Sequence, residues 1–152
     1  MTSVSVHCAD EKETAELASR LAGIARRGDT FALYGTLGMG KSVFARGFIQ
    51  ALTGAREVPS PTFTLVQGYE APDFEICHYD LYRIKSAEEV FELGMEEALY
   101  ENVCLIEWPE KMGALLPGDI FKVSIENDGQ GRLIAISSDS PEKKKRLAAL
   151  EF

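Results

Sequence analysis

A three-layer α/β fold, with a mixed, mainly parallel central sheet flanked by helices and antiparallel hairpins, is predicted by three features of the sequence. The first is an apolar strand, a glycine-rich loop and an apolar-periodic helix in unbroken succession over residues 30–54. The second is Val103-Cys104-Leu105-Ile106, a short continuous apolar run of the kind that forms a strand buried on both faces. The third is a pair of hairpin signals, at Ala71-Pro72-Asp73 and at Asn127-Asp128-Gly129, which supply antiparallel partners. A chain of 152 residues accommodates one domain, 1–152, without a sizeable lid or substrate domain.

The elements follow in order. Ser3-Val4-Ser5-Val6 alternates like an edge strand, and Asp10 with Glu13 resembles a capping box for a helix through about Arg27. Gly28-Asp29 turns the chain into Thr30-Phe31-Ala32-Leu33-Tyr34, whose β-branched and aromatic members read as a buried strand. Beyond the loop, Val43, Phe44, Phe48, Ile49 and Leu52 recur at helical spacing until Gly54 stops the helix. Two prolines hold Val58-Pro59-Ser60-Pro61 extended. Thr62 to Tyr69 and Phe74 to Tyr79 are the strands of the first hairpin. Ser86 with Glu89 opens a short helix ahead of the 103–106 strand. Ile120 to Glu126 and Arg132 to Ser137 form the second hairpin, and Pro141 to Leu150 closes as a helix.

The loop carries the chemistry. Gly35-Thr36-Leu37-Gly38-Met39-Gly40-Lys41-Ser42 fits G-x-x-x-x-G-K-[ST] without a gap. Glycines let such a loop take positive φ and turn successive N–H groups inward around phosphates, at the positive end of the following helix. Lys41 neutralises phosphate charge, and the Ser42 hydroxyl can join a Mg²⁺ ion bridging two phosphates. A P-loop nucleotide-binding fold is the result.

A loop that grips phosphates hydrolyses nothing without a carboxylate to order metal and water. Asp80 and Glu107 each end an apolar strand, and ligands of open α/β sheets sit beyond the carboxyl ends of parallel strands. Trp108, the single tryptophan, follows Glu107 and precedes Pro109; it reads as core packing or as a neighbour of the site. Ser60-Pro61-Thr62 is a rigid segment carrying hydroxyls, read equally as a plain loop or as a nucleotide-sensing switch. His7 and His78 read as structural, since neither has partners at zinc-ligand spacing.

Composition excludes other classes. Hydrophobic residues make up 45% and charged residues 26%, with no apolar run long enough to span a bilayer and no signal-peptide pattern. A net charge of −8 argues against direct, non-specific nucleic-acid binding, which needs clustered Lys and Arg. Cys8, Cys77 and Cys104 lie far apart in apolar runs and read as buried thiols of a cytoplasmic protein. The acidic series Glu88, Glu89, Glu92, Glu96, Glu97 and Glu101 and the terminal Lys143-Lys144-Lys145 both read as solvated helical faces.

Taken together, Leu33-Tyr34-Gly35, the loop, Phe44-x-Arg46-Gly47, Ser60-Pro61-Thr62-Phe63-Thr64-Leu65, His78-x-Asp80-Leu81-Tyr82-Arg83 and Glu107-Trp108-Pro109 resemble the TsaE family, also called YjeE. That family consists of small bacterial P-loop ATPases needed for threonylcarbamoyladenosine modification of certain tRNAs. The resemblance implies an ATP·Mg²⁺ site, hydrolysis to ADP and phosphate, and work with the TsaB–TsaD pair, with tRNA met only through that complex. It implies that Lys41 and the loop amides hold phosphates, that Ser42 and Glu107 serve magnesium, and that Asp80 assists the metal or the attacking water. Thr62 becomes a switch-like hydroxyl and Trp108 a neighbour of nucleotide or partner. Asp10-Glu11 and Gly131-Arg132 are similar to family positions near the base end of the nucleotide.

Two positions depart from the family pattern: Thr36 stands where an acid is usual, and Met39 where a small residue is usual. No Asn-Lys-x-Asp guanine-reading sequence is present, which favours ATP over GTP. Two rivals remain at this level. A small-molecule kinase needs an arginine-rich lid, toward which the segment after Tyr79 offers only Arg83 and Lys85, and a binding module senses ATP without turning it over.

Overall fold

The computed structural model describes residues 3–35, 40–55, 57–59, 61 and 64–150. Strand β1 (Ser3–Cys8) leads to helix α1 (Glu11–Ala22), strand β2 (Thr30–Tyr34) and helix α2 (Lys41–Thr53). Strands β3 (Val66–Glu70) and β4 (Glu75–Asp80) precede a 3₁₀ segment (Ala87–Leu93), helix α3 (Met95–Glu101) and strand β5 (Val103–Glu107). A second 3₁₀ segment (Pro109–Leu115), strands β6 (Phe121–Asp128) and β7 (Gly131–Ser138) and helix α4 (Pro141–Ala148) complete the order.

The described strands form one sheet in the order β1-β7-β6-β2-β5-β4-β3. Its centre is parallel: β2 pairs in parallel with both β5 and β6, and β5 pairs in parallel with β4. Both margins are antiparallel, through the β3–β4 and β6–β7 hairpins and the β1–β7 pairing. The 103–106 run lies within this parallel centre, beside β2, as its unbroken apolarity predicts.

Strand periodicity creates the three layers. On β5, Val103 and Leu105 join one core with Phe31, Leu33, Phe44 and Leu21, beneath α1, α2 and α4. Cys104 and Ile106 face the other core with Tyr79, Val90, Met95 and Met112. Phe31 stacks on Phe121 at 4.7 Å and meets the edge of Phe48 at 4.9 Å, tying β2 to β6 and α2. All three cysteines are buried free thiols.

Gly47 explains one motif position. A Cβ there would lie 2.8 Å from the Ala15 Cα and 3.0 Å from its carbonyl oxygen, so only glycine lets α2 approach α1 this closely.

Some boundaries differ from expectation. Helix α1 stops at Ala22 rather than near Arg27, because Ile24 and Ala25 N–H groups bond three residues back and Asp29 captures the Arg26 N–H at 2.8 Å. At its start, Asp10 accepts from the Glu13 N–H, while the Glu13 carboxylate accepts from Ala9. Strand β3 begins at Val66 rather than Thr62: Leu65 has φ of 68°, and its N–H closes a turn onto the Pro61 carbonyl at 2.6 Å. The Ser86–Glu89 capping box is present and opens a 3₁₀ rather than an α turn.

The C-terminal lysine run is not wholly solvated. Lys143 and Arg146 are buried, and Arg146 makes two bonds to Asp29, at 2.6 and 2.9 Å. Lys143 reaches Asp119 at 3.0 Å and Asp29 at 3.7 Å. Among the acidic series, Glu88, Glu92, Glu96, Glu97 and Glu101 are exposed as expected, and Glu89 is half-buried in its capping box. Among the described residues, no helix is long and apolar enough to cross a membrane.

Candidate functional site

The parallel strands β2, β5 and β4 end abreast. Leu33 pairs with Glu107, and Glu107 pairs with Asp80, so the chain leaves β2 at Gly35 beside two strand-terminal acids. Residues Thr36, Leu37, Gly38 and Met39 lie outside the described residues, as does Thr62. The loop returns at Gly40, which sits in the left-handed region (φ 90°, ψ 14°) and caps α2 with no side-chain hydrogen bond. Gly40 therefore supplies no side-chain cap to the first-turn N–H groups of α2.

Lys41 is buried, and among the described residues its Nζ has no hydrogen-bond partner. The ammonium lies 3.7 Å from the centroid of the Trp108 ring. Burial pushes its pKa down, opposed by the negative charges of Glu107, Glu110 and Asp80. A buried cation without a bonded partner is costly, so this position favours an anionic visitor. Ser42, one residue on, is exposed.

Asp80 and Glu107 are 7% and 4% exposed. Asp80 accepts from the Tyr82 N–H at 3.0 Å, which holds its carboxylate at the strand end. Glu107 is bonded through Oε2 to His78 Nε2 at 2.6 Å, with both side chains buried. Trp108 then takes a left-handed conformation (φ 59°, ψ 49°) ahead of Pro109, and its ring packs on Tyr82 at 4.9 Å between centroids.

Lys41, Ser42, Asp80, Tyr82, Glu107 and Trp108 line one cavity of about 520 Å³. Glu11 at the start of α1 and Arg132 on β7 line it as well, brought in because Cys8 pairs with Arg132 across the β1–β7 ladder. Gly131 permits that approach, since a Cβ there would sit 2.3 Å from the Cys8 carbonyl oxygen.

Sequence reasoning missed two participants. Tyr82 forms the outer aromatic wall with Trp108, and His78 holds Glu107. The signal for His78 was available: it stands two residues before Asp80 on one strand, hence on the same face of the sheet.

The site suits a nucleotide with a divalent cation. The unpartnered Lys41 ammonium and uncapped helix terminus match phosphates, while Ser42 and the two acids are the hard oxygen donors that Mg²⁺ takes. Among the described residues, no group of three or more His, Cys, Asp or Glu side chains is arranged to hold a metal alone. Mg²⁺ commonly takes only one or two carboxylates and completes its sphere with phosphate and water.

Comparison with known proteins covers most of the chain. The family model described as "Threonylcarbamoyl adenosine biosynthesis protein TsaE" matches residues 8–134. A Rickettsia conorii protein named tRNA threonylcarbamoyladenosine biosynthesis protein TsaE is 42% identical over 144 residues, covering 93% of this chain and 82% of its own. The Bacillus subtilis protein of that name is 35% identical over 119 residues, 78% of this chain and 74% of its own. The crystal structure of Bacillus subtilis YdiB is similar at a TM-score of 0.78 and 27% identity, over 97% of this chain and 93% of that one.

Proposed function

The chain belongs to the TsaE family of tRNA threonylcarbamoyladenosine biosynthesis proteins, and from that premise we propose that it is a single-domain ATPase. It binds ATP with Mg²⁺ and hydrolyses it to ADP and phosphate, slowly alone and faster with TsaB- and TsaD-like partners. Through that complex it serves tRNA modification in the cytoplasm. The observation that carries this reading is the buried, unpartnered Lys41 ammonium at the α2 N-terminus, next to the paired strand-end acids Asp80 and Glu107.

The chain's own groups divide the work. The loop 35–42 and the first turn of α2 bind phosphate oxygens through N–H donors, and Lys41 supplies the positive charge. Ser42 and Glu107 hold the cation, and Asp80, fixed by the Tyr82 N–H, assists the cation or orients the attacking water. Mg²⁺, when bound with the nucleotide, neutralises phosphate charge and acts as a Lewis acid. Trp108 and Tyr82 cover the site and limit water near Lys41. Glu11 and Arg132 stand toward the base end of the nucleotide, and Thr62 is the switch-like hydroxyl. Thr36 and Met39 tune the loop without removing a backbone donor.

Phosphate release from ATP, measured with and without the TsaB–TsaD pair and followed by tRNA modification in the same tube, tests the proposal. Slow release alone and stimulation by the pair are expected. Release that stays absent with partners present, despite ATP binding, would replace hydrolysis with sensing.

A further inference from the structure

We infer that His78 is a positioning residue that fixes Glu107 in the orientation needed to receive a divalent cation. The inference rests on the reading of Glu107 as a cation-holding carboxylate. Three observations carry it.

The first is geometry. His78 Nε2 and Glu107 Oε2 are 2.6 Å apart, and the two side chains are 3% and 5% exposed. Such a short bond between buried groups removes the torsional freedom that a glutamate at a strand end otherwise keeps.

The second is the ring's other nitrogen. Among the described residues Nδ1 has no hydrogen-bond partner, so the one side-chain hydrogen bond of the buried ring is the one to Glu107.

The third is crowding of like charge. Asp80 and Glu107 are directly paired in the β4–β5 register. Two carboxylates so placed repel, and without a donor Glu107 would turn away from Asp80. His78 and Asp80 sit on the same face of β4, so one strand supplies both the second acid and the donor that holds the first. With Oε2 committed to His78, Oε1 is the oxygen left for the cation.

The test compares three substitutions at position 78. His78→Gln carries an amide that reaches as far as Nε2, His78→Asn one that stops a bond short, and His78→Leu none. ATP affinity is measured by calorimetry with and without Mg²⁺, alongside phosphate release with the partner pair. His78→Asn and His78→Leu are expected to lower kcat roughly 10–100-fold. The same two should reduce the Mg²⁺-dependent gain in ATP affinity about tenfold, while affinity without Mg²⁺ stays within about threefold of wild type.

His78→Gln should recover both quantities to within about threefold, and His78→Asn should add nothing in a Glu107→Gln background. If His78→Leu does not fold, the Gln–Asn pair carries the comparison. Wild-type behaviour of His78→Asn overturns the inference, as does a loss of equal size in the Glu107→Gln background or a folded His78→Gln as impaired as His78→Asn. A wild type that binds ATP·Mg²⁺ without releasing phosphate defeats the hydrolysis reading instead, because the Mg²⁺-dependent affinity still reports on His78.

Discussion

Asp80 and Glu107 face each other across the β4–β5 ladder, so two carboxylates leave adjacent parallel strands at the same height. Leu33 of β2 is the next neighbour of Glu107, which sets the end of β2 beside them. The two acids and the end of β2 are therefore positioned by sheet hydrogen bonds.

Replacing either acid separates binding from turnover. Glu107→Gln and Asp80→Asn are each expected to cut partner-stimulated phosphate release by roughly 10²–10⁴-fold. ATP affinity without Mg²⁺ should stay within a few-fold of wild type, since neither acid holds phosphate. Single-turnover release and calorimetry check the two halves, and unimpaired release in either variant would remove that acid from the mechanism.

Lys41 sets affinity against stability. Lys41→Met removes a buried ammonium that lacks a hydrogen-bonded partner, so the melting temperature should equal or exceed that of the wild type, a gain of up to about 1 kcal/mol. ATP affinity should fall at least about tenfold through lost phosphate pairing. Emission from Trp108, 3.7 Å from the ammonium, should change on ATP addition in the wild type. Tight binding by Lys41→Met would displace the lysine from the phosphate site.

The α1–α2 contact depends on Gly47. In Gly47→Ala the new methyl meets Ala15 backbone at 2.8 and 3.0 Å, an overpacking cost of about 1–3 kcal/mol that outweighs the better helix propensity of alanine. Chemical denaturation measures the loss. Adding Ala15→Gly should restore only part of it, because the Cα and carbonyl oxygen remain in the way.

Asp29 and Arg146 anchor the C-terminal helix. Among the described residues, Arg146→Leu leaves a buried carboxylate with only Lys143 at 3.7 Å as a charged partner, and should cost about 3–5 kcal/mol of stability. Arg146→Lys keeps the charge but not the two-pronged bond, so denaturant melts should show partial recovery.

Acid sensitivity follows from the rim of the same cluster. The Lys143 side chain holds the Asp119 pKa below its usual 3.8, and the Arg146 side chain holds that of Glu142 below its usual 4.5. The unfolded chain therefore takes up these protons first, so their stabilisation is complete above about pH 4.5 and is lost as pH falls through the lowered folded-state values. An Asp119→Asn, Glu142→Gln double variant should melt below wild type at pH 7. The gap should close on acidification, and a gap that widened would reverse the argument.

Local patterns made much of this legible. The strand–loop–helix succession, both hairpins, the central 103–106 strand and the acids ending β4 and β5 are properties of short windows, where periodicity and turn residues act directly. Helix α1 ran short of its expected end because its apolar pattern continues through Ile24 and Ala25 while Asp29 captures the Arg26 N–H, a choice that periodicity does not contain. The lysine run misled for a similar reason: charge alone marks a solvated face, and the partners that bury Lys143 and Arg146 lie elsewhere in the chain.

By itself, then, the sequence determined the strand–loop–helix succession, the order of elements and the two acids at strand ends, since each depends on neighbours within a few residues. Tertiary structure alone decided that Asp80 and Glu107 stand side by side, that His78 grips Glu107 across 29 residues, and that Arg146 reaches Asp29 across 117. Those relationships depend on strand order and register, which are set by the summed burial of both sheet faces and are written in no single segment.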